Sequence, residues 1–196
     1  MRFIPKNSTD LNYEVELGFE IGKRGKNIAA KNVRDHLSAF FVSLDMTERK
    51  LQAHFKQNAY PWTLSKSFDT SCALGEFIDI KRLPSTLLEE TFSSTEDSEH
   101  LELWLKVNGE MKQREFTSLM IHTPSRIISY ISEFMTLEEG DIVLTGTPKG
   151  IGAVKNSDEI RAGITGYSDI TFKVKLLHYK KLIRIGHPQP ESGYLT

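Results

Sequence analysis

The chain has 196 residues, and its 25 basic and 26 acidic side chains give a formal net charge of −1. This balance leaves no field of one sign, so it argues against nucleic acid and against an anionic membrane as partners. The length and the 39% share of hydrophobic residues predict a single domain over residues 1–196, with its core at about 13–177 and a peripheral tail at 178–196.

The first pattern along the chain is a strand over about 13–21, in which charged and apolar side chains alternate. Successive side chains of a strand point to opposite faces, so Glu14 and Glu16 share one face. Val15 and Leu17 share the other face, which we expect to be buried. Two neighbouring carboxylates either stand in open water or need a positive group beside them. The strand alone leaves both alternatives open.

A second, short buried strand is predicted over 39–45, where an apolar run ends at the carboxylate of Asp45. Thr47 then predicts the start of a helix, because threonine is a common N-cap residue. Arg49 and Gln52 lie three residues apart on this helix, close to where Asp45 leaves the strand. The residues around Lys66, further on, are predicted to be extended.

Residues 81–100 are rich in serine, threonine and acidic side chains, and we predict a solvated loop there. Alternation over 101–107 predicts a strand, and Asn108 followed by Gly109 is the strongest short signal for a hairpin. Two more strands are predicted at the C-terminal end of the core.

Thr123 and Pro124 predict the start of another helix. Its predicted buried stripe consists of Ile127, Ile128, Ile131, Phe134 and Met135. A strand follows, and then a glycine-rich turn over 146–152 that contains Thr147. Such a turn either presents backbone N–H groups to an anion or simply joins two strands. Many short strands with two or three helices predict an α+β, β-rich fold dominated by a folded-over sheet.

The strongest candidate set for chemistry is Glu14, Glu16 and Asp45. Three carboxylates without a histidine or cysteine cluster suit a hard ion such as Mg²⁺ or Mn²⁺ rather than zinc. A lone lysine is most often a solvated surface charge. Near an anion held by a metal, however, Lys66 would stabilise a carboxylate or a developing enolate.

Four segments together resemble the fumarylacetoacetate hydrolase superfamily, and within it the acylpyruvase and oxaloacetate decarboxylase branch. The segments are Glu14-x-Glu16-x-Gly18, Leu44-Asp45-Met46-Thr47-x-Arg49-x-x-Gln52, Pro61-Trp62-Thr63-Leu64-x-Lys66-Ser67-Phe68-Asp69-x-Ser71-Cys72 and Gly140-Asp141-Ile142-Val143-Leu144-Thr145-Gly146-Thr147-Pro148. They follow the family's order and extend over about 13–175. The resemblance implies a mixed β-sheet roll of the family's C-terminal-domain type, which forms a homodimer.

The resemblance also implies roles for individual residues. The implied ligands of Mg²⁺ or Mn²⁺ are Glu14, Glu16 and Asp45. The implied residues that hold a small 2-oxo acid are Arg49, Gln52, Lys66 and Thr147, and Lys66 is the implied catalytic residue.

The chain departs from the family pattern at Tyr13, Lys50 and Ala73, where family members often have histidine, aspartate and proline. Family members also carry an upstream lid with a His/Glu pair that activates water, and nothing upstream of the first implied metal ligand matches it. If another residue supplies the base, His36 and His122 are the candidates.

The sequence therefore predicts a divalent-metal-dependent hydrolase that cleaves C–C bonds of acylpyruvates and also decarboxylates oxaloacetate. Water activation needs a positioned base, so we expect slow hydrolysis and stronger decarboxylation. Two alternatives stay open. One is a non-catalytic or weakly active protein that binds a metal and a 2-oxo acid, and the other is an isomerase or decarboxylase on the same scaffold.

The single cysteine excludes an internal disulfide and fits a reducing compartment. No apolar run has membrane-spanning length, and the N-terminus lacks the pattern of a signal peptide. We therefore predict a cytoplasmic protein. A mitochondrial matrix protein that has lost its leader would have the same features.

Overall fold

The computed structural model describes residues 2–4, 10–89 and 100–176, and β-strands dominate them. The strands are β1 (Arg2–Ile4), β2 (Leu11–Tyr13), β3 (Val15–Ile21), β4 (Leu37–Asp45), β5 (Thr47–Glu48), β6 (Cys72–Leu74), β7 (Ile78–Asp79), β8 (Glu102–Val107), β9 (Glu110–Phe116), β10 (Ile142–Leu144), β11 (Gly152–Ala153), β12 (Glu159–Ile164) and β13 (Ser168–Leu176). The α-helices are α1 (Arg49–Gln57), α2 (Thr63–Lys66) and α3 (Pro124–Phe134). Short 3-10 helices span Ala30–His36, Ile80–Arg82, Ser85–Leu88 and Thr117–Leu119.

Three sheets organise the described residues. The first has the strand order β1-β13-β12-β8-β9, in which β1 is parallel to β13 and the other neighbours are antiparallel. The second has the order β10-β3-β4-β6, and β7 pairs with the other end of β4. The third is small and joins β11, β2 and β5. This mixed, β-rich architecture confirms the predicted α+β fold class.

The hydrophobic core encloses β3 and β4 along nearly their whole length. Leu17, Phe19 and Phe40 are completely buried and belong to one apolar cluster with Leu105 and Ile160 of the first sheet. A strand that is covered on both faces needs apolar residues at successive positions rather than alternation. This explains why β4 is a nearly continuous apolar run.

The predicted strand over 13–21 is in fact two strands, because the chain changes sheet at Glu14. Upstream of it, β2 pairs with β5 and β11, whereas downstream of it β3 pairs with β4 and β10. At the break, the Glu14 carbonyl oxygen accepts a hydrogen bond from Asp45 N at 2.9 Å. Val15 N donates to the side chain of Gln113 at 3.0 Å instead of to a strand. Glu14 therefore lies where two sheets meet.

Two local predictions between β4 and β6 are wrong. Thr47 does not cap α1, because it lies in β5. The Glu48 carboxylate caps the helix instead, by accepting a hydrogen bond from Leu51 N, and its negative charge suits a helix N-terminus. The residues around Lys66 are not extended but form α2, which begins after Trp62.

The hairpin prediction is confirmed. Asn108 and Gly109 have φ values of 50° and 84°, which a two-residue turn between β8 and β9 requires. The predicted solvated loop over 81–100 contains two 3-10 helical turns in its first part, while residues 90–99 lie outside the described residues. The predicted tail over 178–196 also lies outside them.

Helix α3 begins as predicted, and its buried face matches the predicted stripe in part. Thr123 caps it by accepting a hydrogen bond from Arg126 N, and Pro124 is its first residue. Of the predicted stripe, Ile128 is completely buried, and Ile127 and Ile131 are partly buried against the core. Phe134 and Met135 are exposed. Serines take up much of the buried face because their hydroxyls hydrogen-bond neighbouring segments, as Ser125 and Ser132 do. Within the part of the chain that the structure describes, no helix is long and apolar enough to cross a membrane.

Candidate metal centre

The structure brings the three predicted metal ligands together. Glu14 lies between β2 and β3, Glu16 lies on β3, and Asp45 ends the adjacent strand β4. One carboxylate oxygen from each residue lies within 4.8 Å of one from each of the other two. Glu14 and Glu16 are buried, with 6% and 4% of their surface exposed, and Asp45 is partly buried. The alternative of two surface glutamates on an open strand is therefore wrong.

Of the three carboxylates, Glu16 is the one without a positively charged partner in direct contact among the described residues. Burial raises the pKa of its carboxyl to about 7, and the nearby Asp45 and Glu14 carboxylates raise it as well. The hydrogen bond from Gly146 N to Glu16 Oε2, at 2.7 Å, opposes this shift. Among the described residues, no lysine or arginine lies within ion-pair distance of Glu16. A cation bound here would therefore stabilise the ionised form of this carboxyl.

Lys66 bridges the other two carboxylates. Its Nζ lies 2.6 Å from Asp45 Oδ2 and 2.8 Å from Glu14 Oε2. Burial alone would lower the pKa of Lys66, but its hydrogen bonds to Asp45 and Glu14 raise the pKa above the ordinary value. Lys66 is therefore a charged ammonium group at neutral pH. Burial raises the pKa of Asp45, although the hydrogen bond from Lys66 opposes the shift.

Arg49 and Gln52 approach the same cluster from the first turn of α1. The Arg49 guanidinium forms an ion pair with Glu14 Oε1 through Nη2, and its Nη1 donates to Gln52 Oε1 at 2.8 Å. Both side chains are partly buried. The structure therefore brings three of the four predicted substrate-binding residues, Arg49, Gln52 and Lys66, to the Glu14 side of the cluster.

The fourth, Thr147, lies on the turn after β10, next to the Gly146 N–H group that binds Glu16. Gly150 allows this turn to pack directly on β9. Its φ is 98°, and a Cβ at this position would overlap the carbonyl oxygen of Lys112. Thr147 is partly buried, and its Oγ1 accepts a hydrogen bond from Gln113 Nε2 at 2.8 Å. The turn is thus tied both to the acidic cluster and to β9.

A cavity of about 510 Å³ lies beside this turn. Thr147 and Pro148 line one part of it, and exposed apolar side chains of the segment after β9 line another, with Leu119 and Ile121 among them. His122 also lines the cavity. A ligand held by Thr147 would therefore have mostly apolar surroundings on this side.

The two histidines considered as alternative bases lie in different places. His36 Nδ1 is 3.0 Å from the carbonyl oxygen of Lys23, beyond the end of β3. That end is about 17 Å along the strand from Glu16, at the usual rise per residue. His36 is therefore remote from the acidic cluster, whereas His122 shares a cavity with Thr147.

The residues of the cluster fit a divalent ion of the magnesium or manganese type. Three carboxylates face two paired cations, Lys66 and Arg49, so a surplus of negative charge remains in a largely buried site. All the available donors are hard carboxylate oxygens, and neither cysteine nor histidine belongs to the group. An added cation would offset the burial of the Glu16 charge and the repulsion by its neighbours, which together raise the pKa of this carboxyl.

Comparison with known proteins agrees with the motifs and the fold. Residues 3–175 match the family model described as fumarylacetoacetate (FAA) hydrolase C-terminal. The chain is 44% identical over 176 residues to the mitochondrial oxaloacetate tautomerase of Homo sapiens, which covers 90% of this chain and 74% of that protein. It is 41% identical over 174 residues to the mitochondrial oxaloacetate decarboxylase of Dictyostelium discoideum, which covers 88% of this chain and 74% of that protein.

A solved structure with the same fold is fumarylpyruvate hydrolase from Pseudomonas aeruginosa in complex with Mn²⁺ and pyruvate. It has a TM-score of 0.80 and 31% sequence identity to this chain, and the match covers 90% of this chain and 70% of the other. These similar proteins are named as enzymes. Because the family model matches almost the whole chain, this protein belongs to the fumarylacetoacetate hydrolase family.

Proposed function

We propose that this protein is a divalent-metal-dependent enzyme that acts on small 2-oxo acids, with oxaloacetate as its main substrate. The observation that carries the proposal is the largely buried cluster of Glu14, Glu16 and Asp45, each of which has one carboxylate oxygen within 4.8 Å of one from each of the other two. The choice of oxaloacetate is supported by relatives that are 44% and 41% identical and are named for reactions of this compound.

Glu14, Glu16 and Asp45 would hold Mg²⁺ or Mn²⁺. Such an ion, when bound, acts as a Lewis acid that polarises a carbonyl group. The Mn²⁺ named in the Pseudomonas structure supports this ion type. The backbone N–H of Gly146 orients Glu16 by binding its Oε2, so one face of the acidic cluster is fixed by the turn.

Lys66 would stabilise the negative charge that develops on a substrate oxygen when a proton or a carboxylate group leaves the neighbouring carbon. Its raised pKa keeps the side chain charged at neutral pH. Arg49 would bind the substrate carboxylate, because a guanidinium group presents paired donors that match two oxygens. Gln52 positions Arg49 through their hydrogen bond of 2.8 Å, and Thr147 would hold the ligand from the opposite turn.

A second candidate is hydrolysis of acylpyruvates, which is the leading prediction from the sequence. The similarity to a protein named fumarylpyruvate hydrolase favours it. This reaction also needs a base that deprotonates water, a contribution of typically ~10²–10⁴-fold. Of the two candidate histidines, His122 has the better position because it lines the cavity beside Thr147.

We also propose that the protein is a homodimer and that it functions in the cytoplasm or the mitochondrial matrix. The relatives from Homo sapiens and Dictyostelium discoideum are named as mitochondrial proteins, which supports a mitochondrial location. The balanced net charge of −1 gives no support for a nucleic-acid partner.

Turnover of oxaloacetate and of acetylpyruvate, measured side by side with and without Mn²⁺, tests the proposal. Enol–keto interconversion and CO₂ release are recorded separately for oxaloacetate. We expect both substrates to depend on the metal and oxaloacetate to react faster. Glu16→Gln should lose the metal-dependent part of the turnover. Glu138→Gln changes an exposed ion pair with Arg24 and should keep it. The proposal fails if Mn²⁺ accelerates neither reaction in the wild-type protein.

A further inference from the structure

We infer that Gln113 is a positioning residue that sets the direction of the Thr147 hydroxyl, so that its proton is presented to a bound anion. The inference rests on the proposed function, because it takes Thr147 as a group that holds a 2-oxo acid. Gln113 lies on β9 opposite Leu105, and only 1% of its surface is exposed. A buried polar side chain at this position needs hydrogen-bond partners, and it has them.

The side-chain amide of Gln113 connects the strand of the acidic cluster to the Thr147 turn. Its Oε1 accepts a hydrogen bond from Val15 N at 3.0 Å. Its Nε2 donates to Thr147 Oγ1 and to the carbonyl oxygen of Pro148, each at 2.8 Å. Val15 lies between Glu14 and Glu16 in the chain. The Gln113 amide therefore links the backbone next to two proposed metal ligands with the turn that carries the proposed anion-binding residue.

These partners determine which way round the amide is held. Val15 N is a donor and must face the amide oxygen, while the Pro148 carbonyl is an acceptor and must face the amide nitrogen. A flipped amide would place donor against donor and acceptor against acceptor in a buried position. The orientation is therefore set by the backbone on both sides and does not depend on Thr147.

The orientation of Gln113 in turn sets the role of Thr147. An amide nitrogen only donates, so Thr147 Oγ1 must accept this hydrogen bond. Over residues 2–4, 10–89 and 100–176, the Thr147 hydroxyl itself donates to no acceptor. The side chain is partly exposed and lines the cavity of about 510 Å³. Its proton is thus available to an anionic oxygen, and Thr147 acts as a donor.

A residue that only supports packing would behave differently. Its loss would lower the free energy of unfolding without a selective effect on anion binding. The matched variant is Gln113→Glu, which keeps the length of the side chain and the acceptor for Val15 N. The second carboxylate oxygen would then accept the Thr147 proton, which reverses this hydrogen bond and removes the donor from the anion.

The experiment measures oxalate binding to the Mn²⁺-loaded protein by calorimetry at pH 8, because oxalate presents two adjacent carboxylates and does not turn over. We expect Gln113→Glu to bind oxalate about 10-fold more weakly, as one charge-assisted hydrogen bond is lost. Its Mn²⁺ affinity should not fall, whereas its unfolding temperature should fall somewhat, because a carboxylate oxygen would then face the Pro148 carbonyl in a buried position. Gln57→Glu, at an exposed position near the end of α1, is the charge-matched control and should change neither affinity.

A double-mutant cycle with Thr147→Val separates action through Thr147 from any direct effect of charge. Without the hydroxyl, Gln113→Glu should weaken oxalate binding no further. Thr147→Ser keeps the hydroxyl and should bind oxalate as the wild type does. If Gln113→Glu does not fold, Gln113→Met goes through the same cycle, since it also releases the hydroxyl from its partner.

Folded Gln113→Glu that binds oxalate as tightly as the wild type would overturn the inference, even if the wild type shows metal-dependent turnover. An equal loss in the Thr147→Val background would overturn it too, because the effect would then bypass Thr147. Wild-type protein that binds no oxalate in the presence of Mn²⁺ would remove both this inference and the proposed function.

Discussion

The Gly146 backbone N–H and the Glu16 carboxylate are joined by a hydrogen bond of 2.7 Å, although 130 positions separate them in the chain. This hydrogen bond lowers the pKa of Glu16, but burial, together with the neighbouring carboxylates, still raises it to about 7. Near neutral pH, a proton therefore competes with any cation for this carboxyl. Because of this competition, metal binding to the acidic cluster can be followed by the protons that it releases as well as by the bound metal.

We expect Mn²⁺ binding to release about one proton from Glu16 at pH 6 and much less at pH 8, since the ion replaces the proton. Calorimetry in two buffers with different enthalpies of ionisation counts the protons. Glu138→Gln should release as many protons as the wild type. No release at pH 6 by the wild type would show that Glu16 is already ionised or is not a ligand.

The same pKa predicts how the metal-free protein responds to pH. Between about pH 4.5, the ordinary pKa, and about pH 7, folded Glu16 holds a proton that the unfolded chain has lost. The contribution of Glu16 to the free energy of unfolding therefore falls as the pH rises through this window. Urea unfolding in the presence of a chelator measures this dependence. Glu16→Gln should make the free energy of unfolding depend less on pH in this window. An unchanged pH dependence would show that Glu16 is not the group with the raised pKa.

Replacement of Lys66 by methionine should separate metal binding from turnover. The Lys66 ammonium occupies oxygens of Asp45 and Glu14, so its removal should leave Mn²⁺ affinity unchanged or higher. Turnover of oxaloacetate should fall by roughly 10²-fold, because the charge that stabilises the developing anion is lost. Lys56→Met, at an exposed position on α1, is the control. Full turnover by Lys66→Met would show that Lys66 has no role in the reaction.

Asp45→Ala should abolish most of the affinity for Mn²⁺. Loss of a direct ligand is expected to cost more than the ~10–100-fold typical of groups that only orient ligands. Asp35→Ala removes an exposed carboxylate from a 3-10 helix and should bind Mn²⁺ as the wild type does. Equal Mn²⁺ affinity in the two variants, measured by calorimetry, would show that the metal site is elsewhere.

We expect light scattering to give the mass of a homodimer at micromolar concentration. Exposed apolar side chains after β9 are the best candidates for the contact, because Leu119 and Ile121 are 67% and 91% exposed. Ile121→Glu should weaken the dimer by at least about 10-fold, as a charge would be buried in the interface. A monomer mass for the wild type would rule out the dimer.

The closeness of the three carboxylates is largely predictable from the sequence. Two apolar strands that carry Glu16 and Asp45 pair in the core, and side-chain alternation determines which face the carboxylates share. The alternation does not show that the face is buried, because burial depends on α1 and α2, which deliver Arg49 and Lys66. The role of Glu14, Glu16 and Asp45 as metal ligands stays a prediction.

Gln113 shows why other parts of the site are not predictable. A regular hairpin from Asn108 and Gly109 would pair Leu105 with Lys112. An irregularity between Leu105 and Lys106 shifts the register by one, so that Gln113 lies opposite Leu105 instead. A shift of one residue exchanges the two faces of a strand. Nothing in the local sequence marks this shift, and it decides which side chain reaches the Thr147 turn.

The break in the strand at Glu14 has a consequence for folding. The hydrogen bonds that complete this region join Val15 to Gln113 and Glu16 to Gly146, across 98 and 130 positions of the chain. Contacts between such distant residues form slowly, because the intervening loops must close first. Metal affinity should therefore arise only in the last stage of folding. In a stopped-flow refolding experiment, a metal indicator should therefore report the formation of native protein and not the earlier collapse of the chain.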